Sequence, residues 1–192
     1  MPRKTDAREK AVETAERLFR IQGYAATGLT QIIEESKSPK GSFYFHFPAG
    51  KRELAMEVIA AYRAKTTAGF RALAVRAAGD GEKFVRALAK AVAEEMSASG
   101  WRKGCVAQTL AQELAPMDAS IAEALAALFD EWITIIASAI GPPDKSARRR
   151  AIALVAGLEG ARTLARTQRS AAAFEAVVEA VVAMTRPKAA RA

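Results

Sequence analysis

The sequence predicts an all-α fold in two parts, and three observations carry that prediction. Apolar residues recur at steps of three and four along nearly all of the 192 residues, and no segment alternates like a half-buried strand. Glycine, proline and short polar clusters then cut the chain into about nine helical stretches, three short ones near the N-terminus and six longer ones after them. No internal repeat marks a solenoid.

Val12, Ala15, Leu18 and Phe19 give the first helix its buried stripe, with charged residues between them. Gly23 ends it as a C′ residue with positive φ. Thr27 is placed to cap the next helix through its hydroxyl, and Leu29, Ile32 and Ile33 form the buried face of that short helix. Ser36-Lys37-Ser38-Pro39 reads as a turn, because proline disfavours helical geometry at Ser38 yet suits the start of a helix. A third, very short helix is expected from Pro39 to Phe45.

After the break at 48–50 a long helix carries the stripe Leu54, Val58, Tyr62, Phe70 and Leu73. Ala78-Gly79-Asp80-Gly81 interrupts it, and Phe84, Leu88, Val92 and Met96 then repeat at steps of four. Gly100 and Gly104 bracket a loop that holds Trp101. A helix from Val106 to Leu114 runs up to Pro116, and the next carries Ile121, Leu125, Leu128, Trp132 and Ile136. Gly141-Pro142-Pro143-Asp144 is a strong break; helices at 145–167 and 171–185 follow, and the basic tail at 186–192 is expected to fray.

With 51% hydrophobic and 26% charged residues the composition is that of a soluble globular protein. No run of eighteen residues is apolar and free of charge, and the first twenty alternate acids with bases, so neither a transmembrane helix nor a signal peptide is expected and the protein is placed in the cytoplasm. One histidine and one cysteine cannot build a tetrahedral zinc site, and Cys105 has no partner for an internal disulfide. A nucleophile-histidine arrangement would have to use His46, which lies in a different element from Cys105 with no activating motif around either. No catalytic residue, metal or cofactor is expected. A net charge of +8 and a pI near 9.9 suggest a polyanionic partner, nucleic acid or an acidic membrane surface. No helix pairs a lysine-rich polar face with an exposed apolar one, which speaks against the membrane. The remaining alternative, a helical small-molecule carrier or enzyme without a DNA role, would need a catalytic cluster in the C-terminal helices, and those contain no histidine.

Residues 39–47, PKGSFYFHF, bear on the choice. Three short helices, the second and third joined by a tight turn, describe a helix-turn-helix over residues 1–49, in which the third helix enters the DNA major groove. Lys40 offers a cation to phosphate or guanine, Gly41 admits close backbone approach, and Ser42 can donate or accept at a base edge. Tyr44 presents a hydroxyl on a rigid ring, Phe45 suits a thymine methyl, and His46 and Lys51 are placed to reach phosphates. Phe43 and Phe47, four apart, share one face and are expected in the core.

The segments AERLFRIQGYAATGLTQIIEES and PKGSFYFHFPAGKREL resemble the N-terminal domain of TetR-type transcriptional repressors, with its Lys-Gly-x-x-Tyr-x-His-Phe third helix. PAGKREL and Gly104-Cys105 are more similar to the LmrA/YxaF branch. The resemblance is specific over residues 8–57; beyond them only helix number and length agree. It implies a homodimer on a double-stranded operator, each N-terminal domain on one half-site, and a C-terminal domain, here residues 50–186, that dimerises and binds a small effector. Carried over by position, Thr27 would cap the second helix and touch phosphate; Lys40, Gly41, Ser42, Tyr44 and His46 would line the DNA face; and Lys51 would meet phosphate. Phe19, Ile32, Phe43 and Phe47 would hold the unit together. Where this branch typically has glycine in the turn, this sequence has Lys37, and a phosphate contact by that lysine would compensate a left-handed backbone.

Met96, Trp101, Cys105, Thr109, Phe129 and Trp132 are the candidates for the effector pocket, being mostly apolar with a few polar groups to orient a ligand. Gln108 and Gln112 could add polar contacts, whereas Glu113 is expected on a solvated helix face. The last two helices carry a broad apolar face, and a symmetric partner is the economical cover for it. Val155, Gly157, Gly160, Leu164, Phe174, Val178 and Val181 are therefore expected at the dimer interface, and the charge run 145–150 on a solvated face.

Overall fold

The computed structural model describes residues 4–142 and 144–184; the basic tail at 186–192 lies outside them. Among the described residues there are nine helices and no strand: α1 (Lys4–Gln22), α2 (Leu29–Glu35), α3 (Lys40–His46), α4 (Lys51–Ala77), α5 (Gly81–Ala98), α6 (Val106–Glu113), α7 (Ala119–Ile140), α8 (Lys145–Gln168) and α9 (Ala172–Ala183).

The breaks act through identifiable chemistry. Gly23, at φ 90°, donates its N–H to Phe19 O at 3.1 Å and closes α1 in the left-handed cap that glycine tolerates. Asp80 and Asp144 cap α5 and α8, each carboxylate accepting from the backbone N–H three residues on, at 2.9 Å from Lys83 and 2.6 Å from Ala147. Such a cap stabilises a helix by about 1 kcal/mol. Pro39 stands outside α3 as its N-cap, with extended ψ of 135°. Thr27 does not cap α2. Gly28 holds that position without a side-chain bond, while the buried Thr27 hydroxyl donates backwards to Gly23 O at 2.6 Å.

The chain packs as two compact units, Met1–Thr66 with Lys103–Phe129 and Thr67–Arg102 with Asp130–Ala192. These are packing units; the functional division expected at 49/50 is a different partition of the chain. In the first unit Phe19, Ile32, Phe43 and Phe47 are all buried, together with Leu54 and Val58 from α4 and Val106 and Leu110 from α6. Burying each such side chain contributes roughly 1.5–3 kcal/mol.

In the second unit the apolar faces of α5, α8 and α9 meet in one core that includes Phe84, Leu88, Met96, Leu154, Leu158 and Phe174. Within the single chain that arrangement already accounts for several of the residues expected at a dimer interface. Phe174, Val178 and Val181 are buried in the chain's own core, and Val155 packs against it. Gly157 serves close packing of α8 on α9 within the chain, since a Cβ there would lie 2.8 Å from Val177 Cγ1. Gly160 and Leu164 do face outwards: a Cβ on Gly160 would meet no atom within 4 Å, and Leu164 is 50% exposed.

Candidate nucleic-acid interface

Residues 36–39 hold α3 beside α2 through a turn that two backbone bonds define. Ser38 N–H donates to Ile33 O at 3.3 Å and Lys37 N–H to Glu34 O at 3.1 Å, the paired bonds of a Schellman cap with Lys37 at its left-handed position. Lys37 has φ 53°, a conformation that costs a non-glycine residue on the order of 1 kcal/mol. The side chain of Ser38 fastens the turn to α1 by donating to Ala7 O at 3.1 Å.

The aromatic run divides cleanly between core and surface. Phe43 and Phe47 are buried with ring centroids 5.0 Å apart, and Tyr44 sets its ring edge-on to Phe43 at 5.7 Å. Tyr44 is 44% and Phe45 68% exposed. At about 100° of rotation per residue, Lys40, Gly41, Tyr44 and Phe45 fall within one arc of roughly 140°. All four are exposed, and a Cβ on Gly41 would meet nothing within 4 Å, so the chain itself gives no packing reason for glycine there. Ser42 is half-buried at the edge of this face.

Three expected contact residues are engaged elsewhere. Thr27 is fully buried, with no surface to offer a phosphate. His46 turns off the exposed arc, between the rings of Phe45 and Phe47, and its Nε2 is buried without a hydrogen-bond partner. The Lys51 ammonium donates to the carbonyls of Tyr24 and Thr27, both at 2.9 Å, and lies 4.1 Å from the centre of the Tyr24 ring. Burial holds its pKa below the ordinary lysine value. Lys51 is therefore a strut under the loop between α1 and α2 rather than a free cation.

Glu113 supports the same loop, contrary to the solvated face expected for it. Its carboxylate accepts from Tyr24 N–H at 3.0 Å and Ala25 N–H at 2.6 Å. Arg20, which the sequence did not single out, is buried and donates from Nε to Gly104 O at 2.7 Å, with Glu16 3.5 Å away. Both residues bind groups more than 80 positions away, so no local pattern announces them. On the surface, Arg52 forms a two-pronged pair with Asp118, Nε to Oδ2 at 2.6 Å and Nη2 to Oδ1 at 3.0 Å. That guanidinium, with the Ser120 hydroxyl, holds the Asp118 carboxyl well below the usual carboxylate range.

The effector candidates are divided between the two units. In the first, Cys105 is fully buried as the N-cap residue of α6, Thr109 donates its hydroxyl to Cys105 O at 3.0 Å, and Phe129 is half-buried. In the second, Met96 is a core residue, Trp132 packs against Phe70 at 5.4 Å, and Trp101 lines an open groove between α5 and α9. Among the described residues no group of three or more His, Cys, Asp or Glu side chains could hold a metal ion, and no single helix is long and apolar enough to cross a membrane.

A helix-turn-helix with a cationic and aromatic exposed arc, on an otherwise helical chain, defines a DNA-binding regulator of the helical class. Residues 11–58 match the bacterial regulatory proteins of the tetR family, and residues 82–180 the C-terminal domain of LmrA/YxaF-like transcriptional regulators. Along its length the chain is similar to two HTH-type transcriptional regulators of Bacillus subtilis: YxaF, 30% identical over 98% of this chain and 100% of that one, and LmrA, 32% identical over 86% and 89%. The fold is also that of the TetR family transcriptional regulator CifR, solved as a cysteine mutant complexed with 26-bp double-strand operator DNA. The TM-score is 0.76 at 20% identity, covering 91% of this chain and 94% of that one. The chain belongs to the TetR family of transcriptional regulators, in its LmrA/YxaF-like branch, and is not an enzyme.

Proposed function

We propose that the protein is a cytoplasmic repressor that occupies a palindromic operator as a homodimer and leaves it when a small, hydrophobic or aromatic effector binds the C-terminal helices. The observation that carries the reading is the exposed arc of Lys40, Gly41, Tyr44 and Phe45 on α3, set on the buried rings of Phe43 and Phe47. In this reading Lys40 meets phosphate or guanine, Gly41 admits the backbone to the groove wall, Tyr44 and Phe45 contact base edges or a thymine methyl, and Ser42 and Lys37 flank them. The net charge of +8 gives the complex a strong salt dependence.

Dimerisation uses the outward face of α8. Ile152, Ala156, Gly160 and Leu164, spaced by four, form an exposed apolar stripe that a symmetry-related copy would cover. Release is allosteric, the effector favouring a conformation in which the two α3 helices no longer match the half-site spacing. Selection of bound fragments from random duplex DNA, by the wild type and by Tyr44→Ala, tests the reading. One enriched palindrome that the variant loses is expected. Salt-sensitive binding without any enriched sequence would reduce the DNA affinity to net charge and end the repressor assignment.

A further inference from the structure

The groove between α5 and α9 in the second unit has a volume of about 710 Å³. That lies within the range of small-ligand sites, roughly 300–1,000 Å³. Ala89, Ala93, Phe174 and Val178 form an apolar floor, and the small alanines, one turn apart on α5, leave the space open. Trp101 closes the floor. Its backbone sits at φ 65°, a left-handed conformation unusual for a large aromatic residue, and its N–H donates to Met96 O at 2.8 Å, which ties the tryptophan to the end of α5.

The rim carries two cations and three carboxylates. Arg86 is paired with Glu82 at 2.7 Å and with Glu179 at 3.2 Å, and Lys90 with Glu94 at 3.7 Å. Glu175 remains; among the described residues no cation pairs with it, and it is exposed beside the tryptophan-lined floor. A chain of net charge +8 thus presents a groove whose rim has one negative charge in excess. The opposite flank of α9 is the one packed on α8, where a Cβ on Gly157 would lie 2.8 Å from Val177 Cγ1.

We propose that this groove binds a flat aromatic cation, its ring stacked on Trp101 and its positive charge directed at Glu175. A tryptophan face attracts cations more strongly than any other ring, and an unbalanced carboxylate at the rim selects the same charge. The inference rests on the effector reading above for its regulatory meaning. The binding event is measured without DNA, so the two can fail separately.

The test uses the full chain with Trp132→Phe, which leaves Trp101 as the only tryptophan of two. N-methylacridinium is titrated against Trp101 emission, with acridine carboxylate as the anion on the same ring system. Saturable quenching by the cation, and weaker binding of the anion, are expected. Glu175→Gln should weaken the cation roughly two- to fivefold and remove the preference for it. Trp101→Leu, followed by calorimetry with Trp132 in place, should weaken it about three- to thirtyfold. Glu123→Gln on α7 should leave the affinity unchanged. Absence of saturation below about 1 mM, a range in which a groove of this kind would bind only marginally, would overturn the proposal. So would equal affinity for the two probes, or a Glu175→Gln variant that binds like the parent. Should Trp101→Leu fail to fold by circular dichroism, the exposed Glu175→Gln still decides the question.

Discussion

The carboxylate of Glu113 occupies the space that Gly23 leaves empty: Oε1 lies 2.8 Å from where a Cβ on Gly23 would stand. The same carboxylate is held by the N–H groups of Tyr24 and Ala25, so it cannot swing away without losing both bonds. Gly23 is thus required twice, for its φ of 90° and for room. Gly23→Ala should lower stability by about 1–3 kcal/mol. Glu113→Ala, which opens the space but strips the loop of its acceptor, should cost about 1–2 kcal/mol. In the double variant the clash is gone, so the two costs should sum to more than the measured total in urea unfolding. Strict additivity would refute the contact.

Lys40 and Lys51 should separate when DNA binding is measured against salt. Lys40 is exposed on the outward arc of α3, and Lys40→Ala, which would remove one contact on each half-site of a dimer, should reduce the slope of log affinity against log salt by about 2. Lys51 spends its ammonium on two carbonyls and the Tyr24 ring. Lys51→Met should cost about 1–3 kcal/mol of stability and leave the slope unchanged. A slope change with Lys51→Met would restore that lysine to the phosphate contacts.

The sequence was legible where one residue acts on its own neighbourhood. Gly23 ended α1, Pro39 set off α3, and the four-residue spacing of Phe43 and Phe47 placed both in the core, because each depends on bonds or packing within a single turn. Long-range partners left no such trace. Glu113 looks like any glutamate on a helix until Tyr24 and Ala25 are brought beside it from 88 or 89 positions away. Lys51 has the spacing of a phosphate ligand and the surroundings of a strut. For α9 the periodicity reported an apolar face correctly, but periodicity cannot say whether α5 and α8 or a second chain covers it.

Lys37 tests whether a strained turn has a functional return. Glycine at this left-handed position should stabilise the fold by about 1 kcal/mol. If the lysine meets phosphate on each half-site, Lys37→Gly should also weaken operator binding and lower the salt slope by about 2. A more stable variant with unchanged affinity and slope would leave Lys37 without a DNA role.

The pair Arg52–Asp118 should shape the acid limb of stability. Asp118 titrates in the ordinary carboxylate range when unfolded and well below it when folded, so between those values the unfolded chain binds more protons and stability rises with pH. The contribution is complete above the ordinary carboxylate value and is lost as pH falls through the depressed folded one. Asp118→Asn keeps an acceptor for Ile121 N–H at the start of α7 while removing the charge. The stability difference between wild type and variant should therefore be largest near neutrality and shrink below about pH 4. A difference independent of pH would show that the hydrogen bonds, not the charge, account for it.

The outward face of α8 should decide the oligomeric state. Ile152 is 45% and Leu164 50% exposed, with Ala156 and Gly160 between them at the same four-residue step. Small residues at the middle of the stripe would let a second α8 approach closely, and the larger side chains at its ends would fill the remaining volume. Leu164→Arg places a charge in that contact and Gly160→Leu a bulk, while neither touches the chain's own core, where Phe174, Val178 and Val181 are buried. Both variants should fold as single chains with unchanged circular dichroism, sediment as monomers, and lose the operator affinity that depends on occupying two half-sites. The contrasting variant Val178→Ala should lower stability by about 1–3 kcal/mol through a cavity, without changing the mass in solution. Should Val178→Ala dissociate the dimer while Leu164→Arg does not, the partner would be docking on α9 instead, and the stripe on α8 would be plain surface.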